Sequence, residues 1–320
     1  MRSVLLTGGA GFIGSNLVRL LLRERVENVV VLDNLTSGYR RNLDGLPVRV
    51  VEGDVRNRDA VEEAIRGCDT VFHLAASVGN ARSIANPIED ALVNVLGTLT
   101  VLEAARDHGV KKLVYSSSAG IFGELKQLPI DEGHPVEPDT PYGCSKLAGE
   151  KLCLSYAKLY PISCVCLRYF NVYGPMQRYD AYGNVIPIFA HLLLHGRPLT
   201  VFGDGEQTRD FVNVHDVARA NFLAARASDV SGAFNIGSAT RVSINELIRL
   251  MEHASGVRPE VRYASPREGD VRDSLADISA ARAKLNFEPN TRLSTGLTEY
   301  MDWFRAELEL NDALTQRNGS

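Results

Sequence analysis

The first half of the chain alternates short apolar runs with longer stretches in which apolar residues recur every three or four positions. The short runs are rich in valine and predict strands, whereas the longer stretches predict helices. This alternation is typical of βαβ units that build a parallel sheet. The predicted strands span residues 4–6, 29–32, 48–51, 70–73, 113–116 and 165–167, and the predicted helices span residues 13–22, 60–66, 91–108 and 145–159.

Most of these strands are apolar at successive positions, which indicates helices packed on both faces of the sheet. After about Phe170, turn-rich segments separate shorter elements, with helices predicted over 184–195 and 244–255. We therefore predict an α/β fold with two parts. Residues 1–170 form a Rossmann-type doubly wound parallel sheet, joined by a returning strand near 233–237, and residues 171–320 form a smaller C-terminal α/β substrate-binding domain.

Composition and charge narrow the possible partners. The chain has 320 residues, of which 45% are hydrophobic, and its 35 basic and 39 acidic side chains leave a formal net charge of −4. Without a basic excess, a nucleic-acid partner is disfavoured. No apolar run is long enough for a signal peptide or a membrane span, so we expect no membrane association and a cytoplasmic location.

Five cysteines are present, and none belongs to a CxxC pair of the metal-binding kind. We expect reduced, mostly buried thiols and predict no metal site. Cys164 and Cys166 lie two apart in an apolar run and would share one face of a strand.

The segment Thr7-Gly8-Gly9-Ala10-Gly11-Phe12-Ile13-Gly14 joins the first predicted strand to the first helix. Its glycines suit a tight turn, a close approach of backbone to a pyrophosphate, and close packing of helix on strand. The helix N-terminus would present free N–H groups to the phosphates. The spacing predicts a dinucleotide site.

Asp33 ends the second predicted strand, 19 residues after Gly14. An acidic side chain there accepts hydrogen bonds from an adenosine ribose and repels a 2′-phosphate, which favours NAD over NADP. Residues after the third and fourth strands suit the same site. The complete set of predicted cofactor contacts is Gly8, Gly11, Phe12, Ile13, Gly14, Asp33, Asn34, Asp54, Val55, Leu74, Ala75, Ala76, Asn94, Tyr142, Lys146 and Tyr169.

Three residues suggest a catalytic set. Tyr142 and Lys146 are four apart at the start of a predicted helix, so both side chains lie on one face. An ammonium beside a phenol favours the phenolate, which makes Tyr142 a candidate base. Ser118 follows the fifth strand, at the edge where ligands bind in such sheets. A Ser–Tyr–Lys set without a His or Asp partner argues for alcohol–ketone redox chemistry rather than a nucleophilic triad.

These motifs, together with Arg168-Tyr169-Phe170-Asn171, resemble the extended short-chain dehydrogenase/reductases over most of the chain, to about Phe304. Within that group the chain is most similar to the NDP-sugar epimerases, especially the 4-epimerases of UDP-N-acetylglucosamine and UDP-glucose. Their C-terminal substrate signature resembles Arg267-Glu268-Gly269-Asp270-Val271-Arg272. The resemblance implies that the following residues bind substrate: Ser118, Asn171, Asn184, Val185, Thr200, Phe202, Arg209, Arg267, Asp270 and Ser274.

The roles implied by the resemblance differ among these residues. Asn171, Arg209 and Arg267 would hold the diphosphate, and Asp270 would contact the uridine ribose. Two charged phosphates favour arginine partners. The nucleobase pocket would be lined by Asn184, Val185, Thr200 and Phe202.

The resemblance also implies a reaction. Tyr142 would take the 4-hydroxyl proton while hydride passes to NAD, and the 4-keto sugar would turn over and be reduced on its other face. Dehydratases of the family carry Asp-Glu, and decarboxylases a Glu, after the active-site hydroxyl residue. This chain has Ala119-Gly120 there, which favours simple epimerisation.

A small side chain at Ser274 leaves room for a 2-acetamido group in the epimerases that the chain resembles. We therefore expect UDP-GlcNAc and UDP-GalNAc, with UDP-Glc and UDP-Gal as further substrates. Val78 and Phe122 depart from a Lys and a Tyr that are common in the family.

Other functions are also compatible with the sequence. They are an epimerase of a UDP-uronate or another NDP-sugar, an NDP-sugar dehydratase or decarboxylase, and a non-catalytic NAD-binding sensor. The resemblance implies a homodimer in which the predicted helices 91–108 and 145–159 of two copies form a four-helix bundle.

Overall fold

The computed structural model describes the backbone of residues 1–180, 183–266 and 271–318. Twelve strands lie in these ranges. They are β1 (Ser3–Thr7), β2 (Asn28–Asp33), β3 (Arg49–Glu52), β4 (Thr70–His73), β5 (Lys112–Ser118), β6 (Ser163–Tyr169), β7 (Asn171–Tyr173), β8 (Leu199–Phe202), β9 (Thr208–Asn213), β10 (Gly232–Ile236), β11 (Arg241–Ser243) and β12 (Val261–Ala264).

The helices alternate with the strands in the first half of the chain and cluster towards its end. A π-helical turn, Leu92–Leu96, joins the fourth helix to the fifth, and a 3-10 turn, Ala119–Ile121, follows β5. The helices are α1 (Phe12–Arg23), α2 (Arg58–Ile65), α3 (Asn80–Ala85), α4 (Pro87–Ala91), α5 (Gly97–Asp107), α6 (Pro141–Leu159), α7 (Val185–Leu194), α8 (Val214–Arg226), α9 (Ile244–Ser255), α10 (Ser279–Leu285) and α11 (Leu293–Asn318).

Seven strands form one parallel sheet in the order β10-β6-β5-β4-β1-β2-β3. The chain builds outwards from β1 to β3, crosses back to β4, and then builds outwards in the opposite direction. The order therefore reverses between β1 and β4, where ligands bind in doubly wound sheets. The predicted Rossmann-type α/β fold is confirmed.

Both faces of the sheet are buried, which explains its unbroken apolar strands. Val29 and Val31 of β2 pack with Leu17 of α1 in one core. Val30 of the same strand packs with Ile65 of α2 in a second core on the opposite face. Because successive side chains of a strand point to opposite faces, a strand covered on both faces has no solvent side on which to place polar residues.

The cysteines follow the same rule. Cys164 and Cys166 alternate with Val165 along β6 and lie in the same core, as expected for one strand face. Cys68 and Cys153 are also buried, whereas Cys144 is exposed.

The C-terminal part carries two small sheets, β11-β9-β7 and β12-β8. They pack with α7, α9 and α11 around a third core that includes Phe189, Leu247 and Tyr300. The chain does not stay in this part, because β10 returns to the large sheet beside β6. The division near residue 170 stays a prediction.

Two helices begin earlier than the apolar pattern predicts. The predicted helix 145–159 begins at Pro141, where proline is favoured in the first turn and the Thr140 hydroxyl caps the N–H of Gly143 at 3.2 Å. The predicted helix 91–108 begins at Pro87 and is interrupted by the π-helical turn. Tyr142 therefore lies in the first turn of α6, and Asn94 lies in the π-helical turn.

Among the helices in the described ranges, none is both long and apolar enough to cross a bilayer.

A buried ion pair fixes α6 to the sheet. The Glu150 carboxylate of α6 accepts from Arg168 of β6 at 2.7 and 3.0 Å and from the Ser117 hydroxyl of β5 at 2.8 Å. Arg168 also donates to the Glu132 carbonyl at 3.2 Å. Each charge is hydrogen-bonded, so the pair holds the helix at one register against two strands.

We predict that Glu150→Ala lowers the free energy of unfolding by about 3–5 kcal/mol, because Arg168 would be left as an uncompensated buried charge. Urea unfolding measures the change. Arg282→Ala is the matched control, since its partner Glu288 is solvent-exposed and the loss should be much smaller. Equal losses in the two variants would contradict the assignment.

Candidate active site

The glycine turn between β1 and α1 is too tight for side chains. Gly8 has φ +71°, and a Cβ built on Gly14 would lie 2.2 Å from the Gly8 carbonyl oxygen. A Cβ on Gly8 would lie 2.7 Å from the Ala75 nitrogen, at the end of β4. Among the described residues, no side chain caps the start of α1 at Gly11, which leaves the free N–H groups of a helix N-terminus to a ligand such as a diphosphate.

Asp33 ends β2 beside this turn. One of its carboxylate oxygens accepts from the Ala10 N–H and the other from the Leu35 N–H, both at 2.9 Å. Burial raises the pKa of Asp33, and the two backbone hydrogen bonds oppose that effect. Each oxygen keeps a lone pair that suits a ribose hydroxyl. The turn and the carboxylate therefore fit the diphosphate and adenosine ribose of NAD.

The Asp54 carboxylate is paired with Arg56, a contact that the sequence analysis did not predict. Both of its oxygens accept from the Arg56 guanidinium at 2.8 Å, and Asn34 donates to it at 2.9 Å. The hydrogen bonds from Arg56 hold the pKa of Asp54 well below its usual range. A contact from Asp54 to adenine stays a prediction.

A chain of hydrogen bonds runs from the end of β4 into the core. The Ala75 N–H donates to the Thr7 hydroxyl at 3.2 Å, which lies 2.7 Å from His73 Nδ1. His73 Nε2 lies 2.9 Å from the Thr98 hydroxyl, which donates to the Asn94 carbonyl at 2.7 Å. Because the Thr98 proton is committed, His73 donates through Nε2 and accepts through Nδ1.

His73 is therefore a neutral link rather than an acid or base. Burial, aided by the positive charge of Lys146, lowers its pKa to about 3. Sequence reasoning missed His73 because it reads as the last residue of an apolar strand.

Asn94 lies in the π-helical turn and joins that chain to α6. Its amide exchanges hydrogen bonds with the Ser77 backbone at 2.8 and 3.0 Å and donates to Ser145 Oγ at 3.0 Å and to Asp90 at 3.1 Å. π-helical turns are frequent at functional sites because they re-aim a side chain. The amide is used within the protein, and a cofactor contact by Asn94 stays a prediction.

The other predicted cofactor contacts lie along the same edge of the sheet. Tyr169 differs from them, because its hydroxyl lies in the core against the Asn221 amide at 2.8–3.0 Å. Phe12 and Ile13 occupy the first turn of α1, Val55 follows β3, and Leu74 and Ala76 follow β4.

Ser118 at the end of β5 faces Tyr142 at the start of α6, and Lys146 lies one helical turn after Tyr142. The Ser118 hydroxyl interacts with the Tyr142 phenol. A Cβ on Gly120 would lie 3.3 Å from Ser118 Oγ and 3.8 Å from the Tyr142 ring. A Cβ on Gly143 would lie 2.4 Å from the Gly120 carbonyl oxygen, so the two glycines let the strand end and the helix approach each other.

Burial acts on both members of the tyrosine–lysine pair. It lowers the pKa of Lys146 to about 8. Burial also raises the pKa of Tyr142 to about 12, against the Ser118 hydrogen bond and with help from the Asp90 carboxylate. Burial in the protein alone therefore favours the neutral phenol, and the role of Tyr142 as a base stays a prediction. A further positive charge beside the phenol is needed to ionise it near neutral pH.

The two positions that depart from the family pattern contribute no polar group to the site. Val78 is exposed, and Phe122 is fully buried between the Phe170 ring and the Arg168 guanidinium.

The pairing of β7 with β9 assembles part of the predicted substrate site. Asn171 donates to the Asp210 carbonyl at 3.2 Å, and the adjacent Arg209 donates to the Thr208 carbonyl at 2.9 Å. Ser274, which is buried, donates its N–H to the same Thr208 carbonyl at 3.2 Å. The structure thus brings three predicted substrate residues to one segment.

Asp210 organises this segment and was missed from the sequence. It is fully buried and accepts from the Ser238 N–H and hydroxyl at 2.6 and 2.7 Å. The N–H groups of Ala239 and Ala276 donate to it at 3.1 Å. The signal was its position directly between Arg209 and the apolar pair Phe211-Val212 of β9.

A cavity of about 490 Å³ opens beside the ends of β8 and β12, a size typical of small-molecule sites. Phe202 lines it, and Thr200 lies on the same face of β8. Asn184 and Val185 begin α7, which packs on β8. Arg267 and Asp270 lie outside the described residues. The lining consists of Phe202, Gly203, Asp204, Gln207, Tyr263, Ala264, Pro266, Val271 and Arg272.

The chain is similar to proteins of the NAD dependent epimerase/dehydratase family. Residues 4–237 match the NAD dependent epimerase/dehydratase family. A putative UDP-glucose 4-epimerase of Methanocaldococcus jannaschii is 40% identical over 304 residues, which cover 94% of this chain and 98% of that protein.

Two solved structures share the whole fold. The UDP-glucose 4-epimerase of Thermotoga maritima, solved with UDP-glucose, has a TM-score of 0.91 at 38% identity and covers 96% of this chain and 99% of its own. The UDP-N-acetylglucosamine 4-epimerase of Methanobrevibacter ruminantium, solved with UDP-N-acetylmuramic acid, has a TM-score of 0.91 at 34% identity, with the same coverage.

We predict that Gly14→Ala weakens NAD binding at least tenfold, because the added methyl group collides with the Gly8 carbonyl and must displace the turn. Isothermal titration calorimetry on the folded variant measures the affinity. Gly133→Ala is the control, since its Cβ would meet its nearest neighbour at an ordinary 3.4 Å. NAD affinity equal in both variants would contradict the placement of the diphosphate at this turn.

Proposed function

The chain belongs to the NAD dependent epimerase/dehydratase family, and on that premise we propose that it inverts the hydroxyl at C4 of a UDP-hexose. UDP-GlcNAc and UDP-GalNAc are the proposed substrates, with UDP-Glc and UDP-Gal as a further pair. The proposal is supported by one observation: the Ser118 hydroxyl at the carboxyl edge of the sheet faces the Tyr142 phenol, with Lys146 one helical turn further along α6. The predicted family, the isomerase class and NAD as cofactor are confirmed.

The chemistry of the chain's own residues follows from their placement. NAD, when bound at the glycine turn and Asp33, would supply the acceptor for the C4 hydride and the donor that reduces the 4-keto sugar. Tyr142 takes the 4-hydroxyl proton as a base and gives it back when the carbonyl is reduced. Ser118 hydrogen-bonds the same oxygen, and Lys146 supplies a positive charge behind the phenol. Proton and hydride both return, so no net oxidation occurs.

The sugar has to turn over between the two half-reactions while its diphosphate stays fixed. Asn171 and Arg209 are proposed to hold the diphosphate, with Arg267 as a second clamp and Asp270 on the uridine ribose. The cavity beside β8 is proposed to take the nucleobase, near Asn184, Val185, Thr200 and Phe202. Its volume and its partly aromatic lining support that role.

Elimination and decarboxylation need an acid or base beside the phenol. The 3-10 turn offers only Ala119 and Gly120 there, and Gly120 lies against both Ser118 and Tyr142. This favours epimerisation over the dehydratase and decarboxylase alternatives. The complete set of Ser118, Tyr142 and Lys146 likewise argues against a non-catalytic sensor.

A homodimer is proposed through α5 and α6. Leu96, the last residue of the π-helical turn before α5, and Leu159, at the end of α6, are exposed apolar side chains, as expected if a second copy covers them. The cytoplasmic location stays a prediction.

We predict that purified protein interconverts UDP-GlcNAc and UDP-GalNAc, and that Tyr142→Phe lowers kcat at least about a hundredfold because the base is lost. The variant should still bind NAD. A panel of UDP- and dTDP-sugars with coupled detection of the 4-epimer measures turnover.

Tyr160→Phe, at the far end of the same helix, is the matched control and should keep full activity. Conversion of no sugar by the wild type, or full activity of Tyr142→Phe, would overturn the proposal.

We predict that Ser274→Tyr lowers kcat/KM for UDP-GlcNAc at least tenfold and leaves that for UDP-Glc within twofold, since an added ring fills the space for the 2-acetamido group. Ser274→Ala keeps the space and should preserve both activities. Steady-state kinetics with the two sugars decides the question. Equal losses for both sugars in Ser274→Tyr would refute the size argument.

A further inference from the structure

Asp90 is a buried carboxylate with one uncommitted oxygen. It lies in α4, one turn before Asn94, and its residue is 2% exposed. Its Oδ1 accepts from the Asn94 amide at 3.1 Å. Its Oδ2 is also buried and has no hydrogen-bond partner among the residues that the structure describes.

A buried carboxylate requires compensation, because transfer from water disfavours the charged form. Neutral neighbours supply only part of it. Ser145 interacts with Asp90, but its hydroxyl also donates to the Tyr142 carbonyl at 3.0 Å. Asp90 is tied to α6 through Asn94, whose amide donates to the Asp90 carboxylate at 3.1 Å and to Ser145 Oγ at 3.0 Å. Lys146 follows Ser145 in the chain, and its positive charge acts on Asp90.

Lys146 is a buried ammonium and requires a nearby negative charge to stay protonated. The residue is 3% exposed, and its ammonium lies 4.5 Å from the centre of the Tyr115 ring. The Glu150 carboxylate also acts on it, but Glu150 already pairs with Arg168 through two hydrogen bonds. His73 is neutral, so it offers no negative charge. Among these acidic groups, Asp90 is the carboxylate that no arginine or lysine already pairs.

We propose that Asp90 is a positioning residue whose uncommitted carboxylate is the counter-charge of Lys146 and keeps its ammonium protonated behind the Tyr142 phenol. This inference rests on the roles proposed above for Tyr142 and Lys146. Asp90 acts through Lys146 and does not itself touch the reacting atoms.

The charge of Asp90 acts in the same direction on both partners. A negative charge favours the protonated form of a neighbouring ammonium and of a neighbouring phenol. It therefore raises the pKa of Lys146 and the pKa of Tyr142. Its removal should make Lys146 lose its proton, and Tyr142 ionise, at lower pH.

Asp90→Asn leaves the other ionisable groups that act on or contact Lys146 unchanged in sequence. Among the described residues these are His73 of β4, Tyr115 of β5, Glu150 and Cys153 of α6, and Cys166 of β6. Arg168 of β6 pairs with Glu150, and Tyr142 lies one helical turn before Lys146.

The test is Asp90→Asn, which removes the charge and keeps the shape. Nuclear magnetic resonance of protein labelled with ¹³Cε-lysine follows the titration of Lys146, whose signal is identified by its absence in Lys146→Met. The wild-type midpoint lies near the pKa of about 8 given above, and Asp90→Asn should lower it by about one pH unit, a tenfold change in proton affinity. Both limbs of the pH profile of kcat should move to lower pH.

Two further variants separate charge from structure. Asp90→Glu retains the charge, so its midpoint should stay near that of the wild type even if kcat falls. Asp107→Asn removes an exposed carboxylate that pairs with Arg58 and Arg106 and should change neither midpoint nor kcat. Should Asp90→Asn not fold, Asp90→Ser deletes the same charge in a smaller side chain and is read in the same way.

The resonance readout needs no sugar, so it is independent of the proposed reaction. A lowered midpoint in a protein that converts no UDP-sugar would uphold Asp90 and overturn the proposed function. An unchanged midpoint in Asp90→Asn, or equal changes in Asp90→Asn and Asp90→Glu, would overturn the role of Asp90.

Discussion

Removal of charge from water governs this site. Burial favours a neutral lysine and a neutral tyrosine, yet the proposed chemistry uses the ammonium of Lys146 and the phenolate of Tyr142. Neighbouring groups must therefore stabilise the two charged forms that burial disfavours. The Tyr115 ring lies beneath the ammonium, the Asp90 carboxylate acts on it, and Ser118 hydrogen-bonds the phenol. In the proposed mechanism an oxidised nicotinamide would supply the positive charge still required beside the phenol, so the phenolate would form only when the cofactor is present.

The sheet supplies the rigidity that this balance needs. Parallel strands end at one edge, so the glycine turn after β1, the small residues after β4 and Ser118 of β5 face the same space. Two buried polar systems then fix α6. The Glu150–Arg168 pair anchors it to β5 and β6, and Asn94 ties it to the chain of hydrogen bonds through His73. Because these groups are hydrogen-bonded and buried, small shifts of α6 would leave polar atoms unpaired.

The sequence predicted what periodicity and local motifs encode. The strands and the glycine turn follow from valine-rich runs and glycine spacing, and the Tyr142–Lys146 face follows from a four-residue interval. It did not predict Asp90, which stands beside the exposed Glu89 and reads as one more solvated acid on a helix. Nor did it predict His73 or the Arg56 partner of Asp54, because a tertiary neighbour decides the role of each. Thr140 and Pro141 are a typical N-cap and first helical residue, and they indicate a helix that begins at Pro141. The prediction began at residue 145 because it followed the apolar periodicity alone.

The proposed mechanism depends on how far bound NAD lowers the pKa of the Tyr142 phenol. The near-ultraviolet absorbance of phenolate, taken as wild type minus Tyr142→Phe across a pH titration, reports the ionisation of this single ring. Without NAD the midpoint should lie near the high pKa of about 12 that burial imposes, and with oxidised NAD bound it should fall by several pH units towards neutrality. The same midpoint with and without NAD would contradict the account.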